Sequence, residues 1–394
     1  MPKINRKLPH TFGDSTPLYA DLLFEGETGS YWLPHPPLEP IGGYELRDDD
    51  TSSSKNNRTG FVADTHVNIA MYDGVWSSYE SEGFNAGDFI AYFASPLIAG
   101  RPACMTGLQR GLRRTFAQGG LAVVGSIVHF GPRFVWGPGM IQHPQKLKAE
   151  TERVFAMRGP KSYRQMSRDR PDGSIPAVWG DLGSLMSWFY RPHNVIKKWE
   201  ICIIPHYVDK EAAFIGKLQE ALNESLSVLD IKGPLTDLMD GIVRCEFVLS
   251  SSLHGIIFAD SYDVPNAHLE LSGKVFGKGH KFEDYFESVN RTRHVLNGYD
   301  ASSKTISQIR SWVAKQKYGY RKHMNLVPFW TACPMHALAY NRSRRQQMQF
   351  AESWVESFDH YMHNRPLNMK ELELDMYRDM NITSVPMEFD ARRR

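Results

Sequence analysis

The stretch VLSSSLHGIIFADSYDVPN, Val248 to Asn266, carries three successive serines and a histidine at the head of an apolar run. Cys245 to Leu249 reads as a buried strand, and Gly255 to Tyr262 as a helix that Pro265 stops. Ser250, Ser251 and Ser252 therefore fall where a strand ends and a helix begins. Free backbone N–H groups at such a place favour an anion, and serine hydroxyls add donors. Gly255 lets a ligand come close to the backbone. His254 titrates near neutral pH without help, which suits an acid or a base. A serine helix cap beside a space-filling histidine would account for the same letters without chemistry.

Other residue types point the same way. Arg158 precedes Gly159-Pro160 at a strand-to-turn junction, where a guanidinium can hold a carboxylate or phosphate through two hydrogen bonds, or make an ordinary surface ion pair. His206 closes the apolar run Ile201–Pro205 and either touches a ligand or is held by a backbone carbonyl. Asn85 and Asp88 precede the helix-like run Phe89–Ile98, where Asp88 is a candidate base or a helix cap. Asp181 is a cleft carboxylate or a turn former. Lys278 and Lys281 follow the serine–histidine stretch as further cations, and Gly137 and Gly139 mark a strand end. Cys104, Cys202, Cys245 and Cys333 show no Cys-x-x-Cys spacing, and no histidine–carboxylate cluster has metal spacing, so no metal is expected. Cys202 and Cys245 sit in apolar runs and read as reduced core residues, which points to a reducing compartment.

These groups need elements to hold them. From Thr65 the chain alternates strand-like and helix-like pieces: HVNIAMY, FIAYFASPLI, LAVVGSIVHF and RFVWGPGM, then WEICIIPHYVDKE, AAFIGKLQEALNESL, LSVLDI and PLTDLMDGIVRC. Such alternation predicts an α/β fold with parallel sheets, whose ligands sit at the carboxyl ends of the strands. The expected division is an irregular segment 1–60, a first domain 61–194, a second domain 195–303 and a helical segment 304–394. Within the irregular segment, Asp48-Asp49-Asp50 resembles a site for a metal-bound nucleotide sugar, but its all-polar surroundings are those of a solvated loop.

A chain of 394 residues with 42% hydrophobic and 23% charged residues is long enough for two globular domains. Its net charge of +2 makes no case for nucleic acid as a partner. No run approaches the ~18–20 apolar residues of a membrane span. The N-terminus lacks the apolar core of a signal peptide, so a cytoplasmic location is expected, at most peripheral to a membrane assembly machinery. On that view the Asn-x-Ser/Thr triplets at Asn57, Asn223, Asn290, Asn341 and Asn381 are chance matches.

Seven stretches occur in order: SEGFNAGDFIAYF, LAVVGSIVHFGPRFVWGPG, VFAMRGPKS, PAVWGDLGSLM, ICIIPHYVD, VLSSSLHGIIFADSYDVPN and KFEDYFESV. Together, over roughly residues 65–290, they resemble the polysaccharide pyruvyl transferase family, especially bacterial exopolysaccharide ketal-pyruvate transferases. The resemblance implies two Rossmann-like domains facing a cleft, as in the GT-B glycosyltransferases. It implies phosphoenolpyruvate as the donor substrate with no separate cofactor, a polysaccharide, oligosaccharide or lipid-linked sugar as acceptor, and a pyruvate ketal as product. His254 is then the acid/base and Asp88 the base for the acceptor, with Arg158, Ser251, Ser252, Leu253, Gly255, Asn85, Asp181, His206 and Lys281 forming the substrate site. Many members carry arginine where this chain has Ser252, so the donor's cation must come from elsewhere, and the family's Gly-Asp-Pro reads Gly180-Asp181-Leu182. A GT-B glycosyltransferase using a nucleotide sugar and a non-catalytic carbohydrate-binding relative are the competing expectations, since a fold does not fix a function.

Overall fold

The computed structural model describes residues 20–37, 67–71, 85–107, 120–146, 151–170, 175–298, 304–340 and 342–364. Strands β1 (Ala20–Glu25) and β2 (Gly29–Pro34) pair as an antiparallel hairpin, so part of the segment expected to be irregular is sheet. The first parallel sheet contains β3 (Val67–Met71), β4 (Ala103–Gly107), β5 (Leu121–Ala122), β6 (Phe134–Trp136) and β7 (Arg153–Ala156). Helix α1 (Ala86–Ala99) connects β3 to the edge strand β4, and α2 (Pro160–Asp169) follows β7. Asn85 starts α1 by accepting the Gly87 N–H on its side-chain oxygen at 3.0 Å, and Gly100 ends it in the left-handed region. The helix is apolar nearly all round because it is covered nearly all round: Phe89, Ile90, Tyr92, Phe93, Leu97 and Ile98 are all buried. The strand expected over Leu121–Phe130 stops after Ala122; Gly125 has φ of 91° and Val128–Phe130 is a 3-10 turn.

Helix α3 (Met186–Phe189) and β8 (Tyr190–Pro192) return the chain to the hairpin, where β8 pairs antiparallel with β2. Then β9 (Ile201–Ile204), α4 (Ala213–Leu222), β10 (Leu226–Val228), α5 (Leu235–Val243), β11 (Val248–Ser250), α6 (Leu253–Ser261), β12 (Asn266–Glu270), α7 (His280–Ser288) and β13 (Val295–Asn297) build a second sheet. The two orders are β4-β3-β5-β6-β7 and β10-β9-β11-β12-β13, with every pairing in both sheets parallel. Counted within its own unit, each sheet therefore runs 2-1-3-4-5. In such a sheet the winding reverses between the first and third strands, and the loops there part to leave a crevice.

The helical segment after residue 304 serves both units. Helix α8 (Ile306–Gly319) buries Ile309 and Val313 in the apolar cluster of the second sheet. Helices α9 (Val327–Thr331), α10 (His336–Tyr340) and α11 (Arg344–Asn364) run back to the first. There the α11 residues Trp354, Val355 and Phe358 pack against α1, and the Trp354 indole N–H donates to the Phe93 carbonyl at 3.2 Å.

Cys202 and Cys245 are not the reduced pair expected: they form a disulfide, with Cα atoms 5.8 Å apart. Cys202 lies on β9 and Cys245 just ahead of β11, and the parallel pairing of those strands brings the two within bridging reach. Bonded to each other, the two cysteines no longer point to a reducing compartment. Among the described residues no helix is long and apolar enough to cross a membrane, and no group of three or more His, Cys, Asp or Glu could hold a metal ion. Asp48-Asp49-Asp50, Asn57, Asn341 and Asn381 lie outside the described residues.

Candidate active site

The reversal points of the two sheets meet. From the first come the N-terminus of α1, after β3, and the Val124–Ile127 turn, after β5; from the second come His206, after β9, and the head of α6, after β11. Contact is tightest at Gly87, where an added Cβ would sit 1.8 Å from Nδ1 of His254. The imidazole is buried, and its Nε2 has no hydrogen-bond partner among the described residues. Burial, then the positive charges of Lys281 and Arg158 and the His206 ring, push its pKa down to about 3. His206 is pushed to about 3 as well, by burial and Lys281. Its Nδ1 accepts the Val208 N–H at 3.4 Å, leaving Nε2 to carry the hydrogen.

Lys281, in the first turn of α7, is the centre of this field. Burial and Arg158 push its ammonium down to about 8, against the pull of Asp88 and Asp209. Its Nζ makes no ion pair with a carboxylate among the described residues. Asp88 is raised to about 6 by burial, opposed by Lys281. Asp181 also rises to about 6 through burial, although the Gly183 N–H and Arg158 oppose it. One Asp181 oxygen accepts that N–H at 2.9 Å; the other is buried without a partner among the described residues. Two neutral imidazoles, an ammonium and two carboxyls poised near pH 6 thus lie within electrostatic reach of one another.

Several residues do other work than their types suggest. Arg158 is fully buried, and its Nε and Nη2 both lie 3.1 Å from Asp284 Oδ2, while Nη1 donates to Ser126 Oγ and Nη2 to the Met140 carbonyl, each at 2.7 Å. Its paired face is spent on Asp284, so it supplies charge rather than an open clamp. Gly139 lies flat against that guanidinium; a Cβ there would come within 2.5 Å of Cζ. Leu253 is a core residue, buried with Ile256, Phe282 and Phe286. Gly255 is required by packing within the fold: an added Cβ would come 2.3 Å from Ser250 Oγ and 2.9 Å from Ile204 Cγ2. Ser250 closes the turn by donating its one hydrogen to the Ile204 carbonyl at 2.7 Å and accepting the Ser252 N–H at 3.0 Å, and Ser251 Oγ accepts the His206 N–H at 2.9 Å. Ser252 stands at the cap of α6 without a side-chain capping bond. Asn85 caps α1, which leaves Asp88 within the first turn rather than at the cap.

Sequence reasoning missed Asp284, Gly87, Ser126 and Asp209. Asp284 lies inside KFEDYFESV but looks like one more surface acid there, because its partner stands 126 positions earlier. Gly87 sits in a motif already singled out, yet nothing local says that an imidazole fills its place.

By fold this is an α/β protein with two doubly wound parallel sheets and a cluster of titratable side chains where their reversal points meet. Residues 154–273 match the model of the polysaccharide pyruvyl transferase family. That span holds Arg158, Asp181, His206 and Ser251 to Gly255, while Asn85, Asp88 and Lys281 fall outside it. The chain is also similar to uncharacterized protein L143 of Acanthamoeba polyphaga mimivirus, 29% identical over 217 residues that cover 54% of this chain and 73% of the viral protein.

Proposed function

We propose that the protein is a ketal-forming pyruvyl transferase, moving the enolpyruvyl group of phosphoenolpyruvate onto a sugar of a polysaccharide or its precursor. The observation that carries this reading is the Lys281 ammonium, without a carboxylate ion pair among the described residues, within the field of His254 at the joined reversal points, in a chain whose residues 154–273 match that family. On this reading the two sheets belong to Rossmann-like domains of the GT-B kind, facing each other across the crevice.

The donor carries a phosphate and a carboxylate. Lys281 is the cation that replaces the arginine expected before the Leu-His pair, and Ser252 with the first N–H groups of α6 receives the second anionic group. Without an anion nearby His254 is neutral, so it can take a proton but has none to give. A bound donor offsets the fields of Lys281 and Arg158 and favours the imidazolium. In the first step the acceptor O–H breaks, its oxygen bonds to donor C2, and C3 gains a proton by way of His254. A second sugar hydroxyl then bonds to C2, the C2–O bond to phosphate breaks, and that hydroxyl's proton leaves through Asp88. Poised near 6, Asp88 is mostly a carboxylate at neutral pH and still basic enough to accept it.

The test is incubation with phosphoenolpyruvate labelled in its pyruvyl carbons and a panel of galactosides, glucosides and mannosides, following phosphate release and label transfer. His254→Gln should lower turnover by about 10²–10⁴-fold. Absence of both phosphate release and a donor-induced rise in melting temperature would defeat the proposal.

A further inference from the structure

Behind the wall that carries Asp181 and Asp284 lies a cavity of ≈ 270 Å³, lined in part by Trp179, Ser184, Tyr285, Ser288, His323 and Asn325. Gly180 and Tyr285, both in its lining, directly adjoin those two carboxylates in sequence. Its chemistry is the opposite of the crevice's: among the described residues no carboxylate, ammonium or guanidinium lines it. An ion placed there would find no counter-charge in the lining.

What the cavity offers is an aromatic face and neutral hydrogen-bonding groups. The Trp179 ring is half-buried and steadied edge-on by Tyr163, with ring centres 5.8 Å apart. Ser184 is buried, and its hydroxyl has no partner among the described residues. Ser288 donates its hydrogen to the Tyr285 carbonyl at 2.7 Å, which leaves its oxygen free to accept. Asn325 uses its carbonyl oxygen on the Val327 N–H at 3.1 Å, which leaves its amino group to donate. The Tyr285 hydroxyl is already given to Asp260 at 2.9 Å, so that residue presents only its ring. An uncharged ligand with one C–H face and hydroxyls that both donate and accept matches this set, and a pyranose is such a ligand.

We propose that this cavity is a pyranose subsite, holding an uncharged unit of the acceptor chain at a distance from the unit that receives the pyruvyl group. The subsite is independent of donor chemistry, but its role as an acceptor subsite rests on the pyruvyl transferase reading. Saturation-transfer NMR without donor, using methyl glycosides and short oligosaccharides of galactose, glucose and mannose, tests it directly. The wild-type protein should bind at least one of them. Trp179→Ala should weaken that binding about tenfold, Trp179→Phe should keep most of it, and Ser184→Ala and Asn325→Ala should each weaken it several-fold. Asn325 is exposed, so its variant serves even where Trp179→Ala fails to fold. Signal from no sugar, or undiminished signal in the Trp179 and Asn325 variants, overturns the subsite. Melting with phosphoenolpyruvate, run in parallel, reports on the donor reading alone. Sugar binding that depends on Trp179 without any donor effect would keep the subsite and sink the transferase.

Discussion

Replacing Asp284 with asparagine removes one charge and almost no volume, at a point where the structure allows the effect to be worked out. Both side chains of the Arg158–Asp284 pair have zero exposure, so solvent screens nothing. The carboxylate takes two contacts of 3.1 Å from Arg158, the Ser162 hydroxyl at 2.6 Å and the Ser162 N–H at 2.8 Å. An asparagine can keep the last of these, but it leaves a guanidinium in the interior without its counter-charge. Breaking one partner of a buried pair costs about 3–5 kcal/mol. Asp181 softens the loss, since removing the Asp284 charge lowers its pKa and lets it ionise more readily toward Arg158. Urea unfolding of the wild type, Asp284→Asn, Arg158→Met and the double variant measures this as a cycle. The double variant should be more stable than Asp284→Asn alone, because it holds no unpaired charge. A loss below about 1 kcal/mol in Asp284→Asn, the range of an exposed pair, would rule out a solvent-shielded ion pair here. So would an Asp284→Asn protein of normal stability with tighter donor binding, for that would mean the guanidinium was waiting for the donor.

Four further outcomes follow from the site and the disulfide. Gly87→Ala is harmless to a helix start in itself, but its methyl would land 1.8 Å from His254 Nδ1; turnover should collapse while circular dichroism stays that of the wild type, and an active variant would show that the ring position is unimportant. Lys281→Met should raise the donor KM far more than it lowers kcat, and in the wild type donor affinity should decline as pH rises through about 8, where the free ammonium loses its proton. The same group makes stability rise with pH between about 8 and 10.5, because in that window the unfolded lysine holds a proton that the folded one has released; a flat profile in Lys281→Met beside a rising one in the wild type is the signature. Replacing Cys202 and Cys245 together with alanine frees a loop closed over 43 residues, and should lower unfolding free energy by about 4 kcal/mol in chemical denaturation.

What the sequence revealed depends on how local each cause is. The head of α6 was legible because strand, cap and helix signals lie within a few residues of one another, and the α/β alternation was legible for the same reason. The gathering of Asp88, Asp181, His206, His254 and Lys281 could be inferred only through the family resemblance, since no spacing rule places positions 88 and 281 together. Local reading misjudged Gly255, whose glycine is demanded by Ser250 Oγ and Ile204. It misjudged the hairpin too, because β2 is completed by β8, about 160 positions later. Cys202 and Cys245 look like core residues, and they are buried; only the strand pairing makes them a bond.

The docking of α11 on α1 sets an order on biosynthesis. Tyr31 and Asp359, joined by a hydrogen bond of 2.6 Å, stand 328 positions apart, and Phe93 meets Phe358 with ring centres 4.6 Å apart. A ribosome releases all five strands of the second sheet before it releases Arg344, so the later unit can close while the earlier one still lacks a wall of its core. That reverses the usual order in which the N-terminal domain folds first. Until α11 arrives, the aromatic face of Phe89, Tyr92 and Phe93 is open to chaperones and to neighbouring nascent chains. Nascent chains stalled before Arg344 should therefore be cut by protease within α1, and chains stalled well past Asn364 should resist.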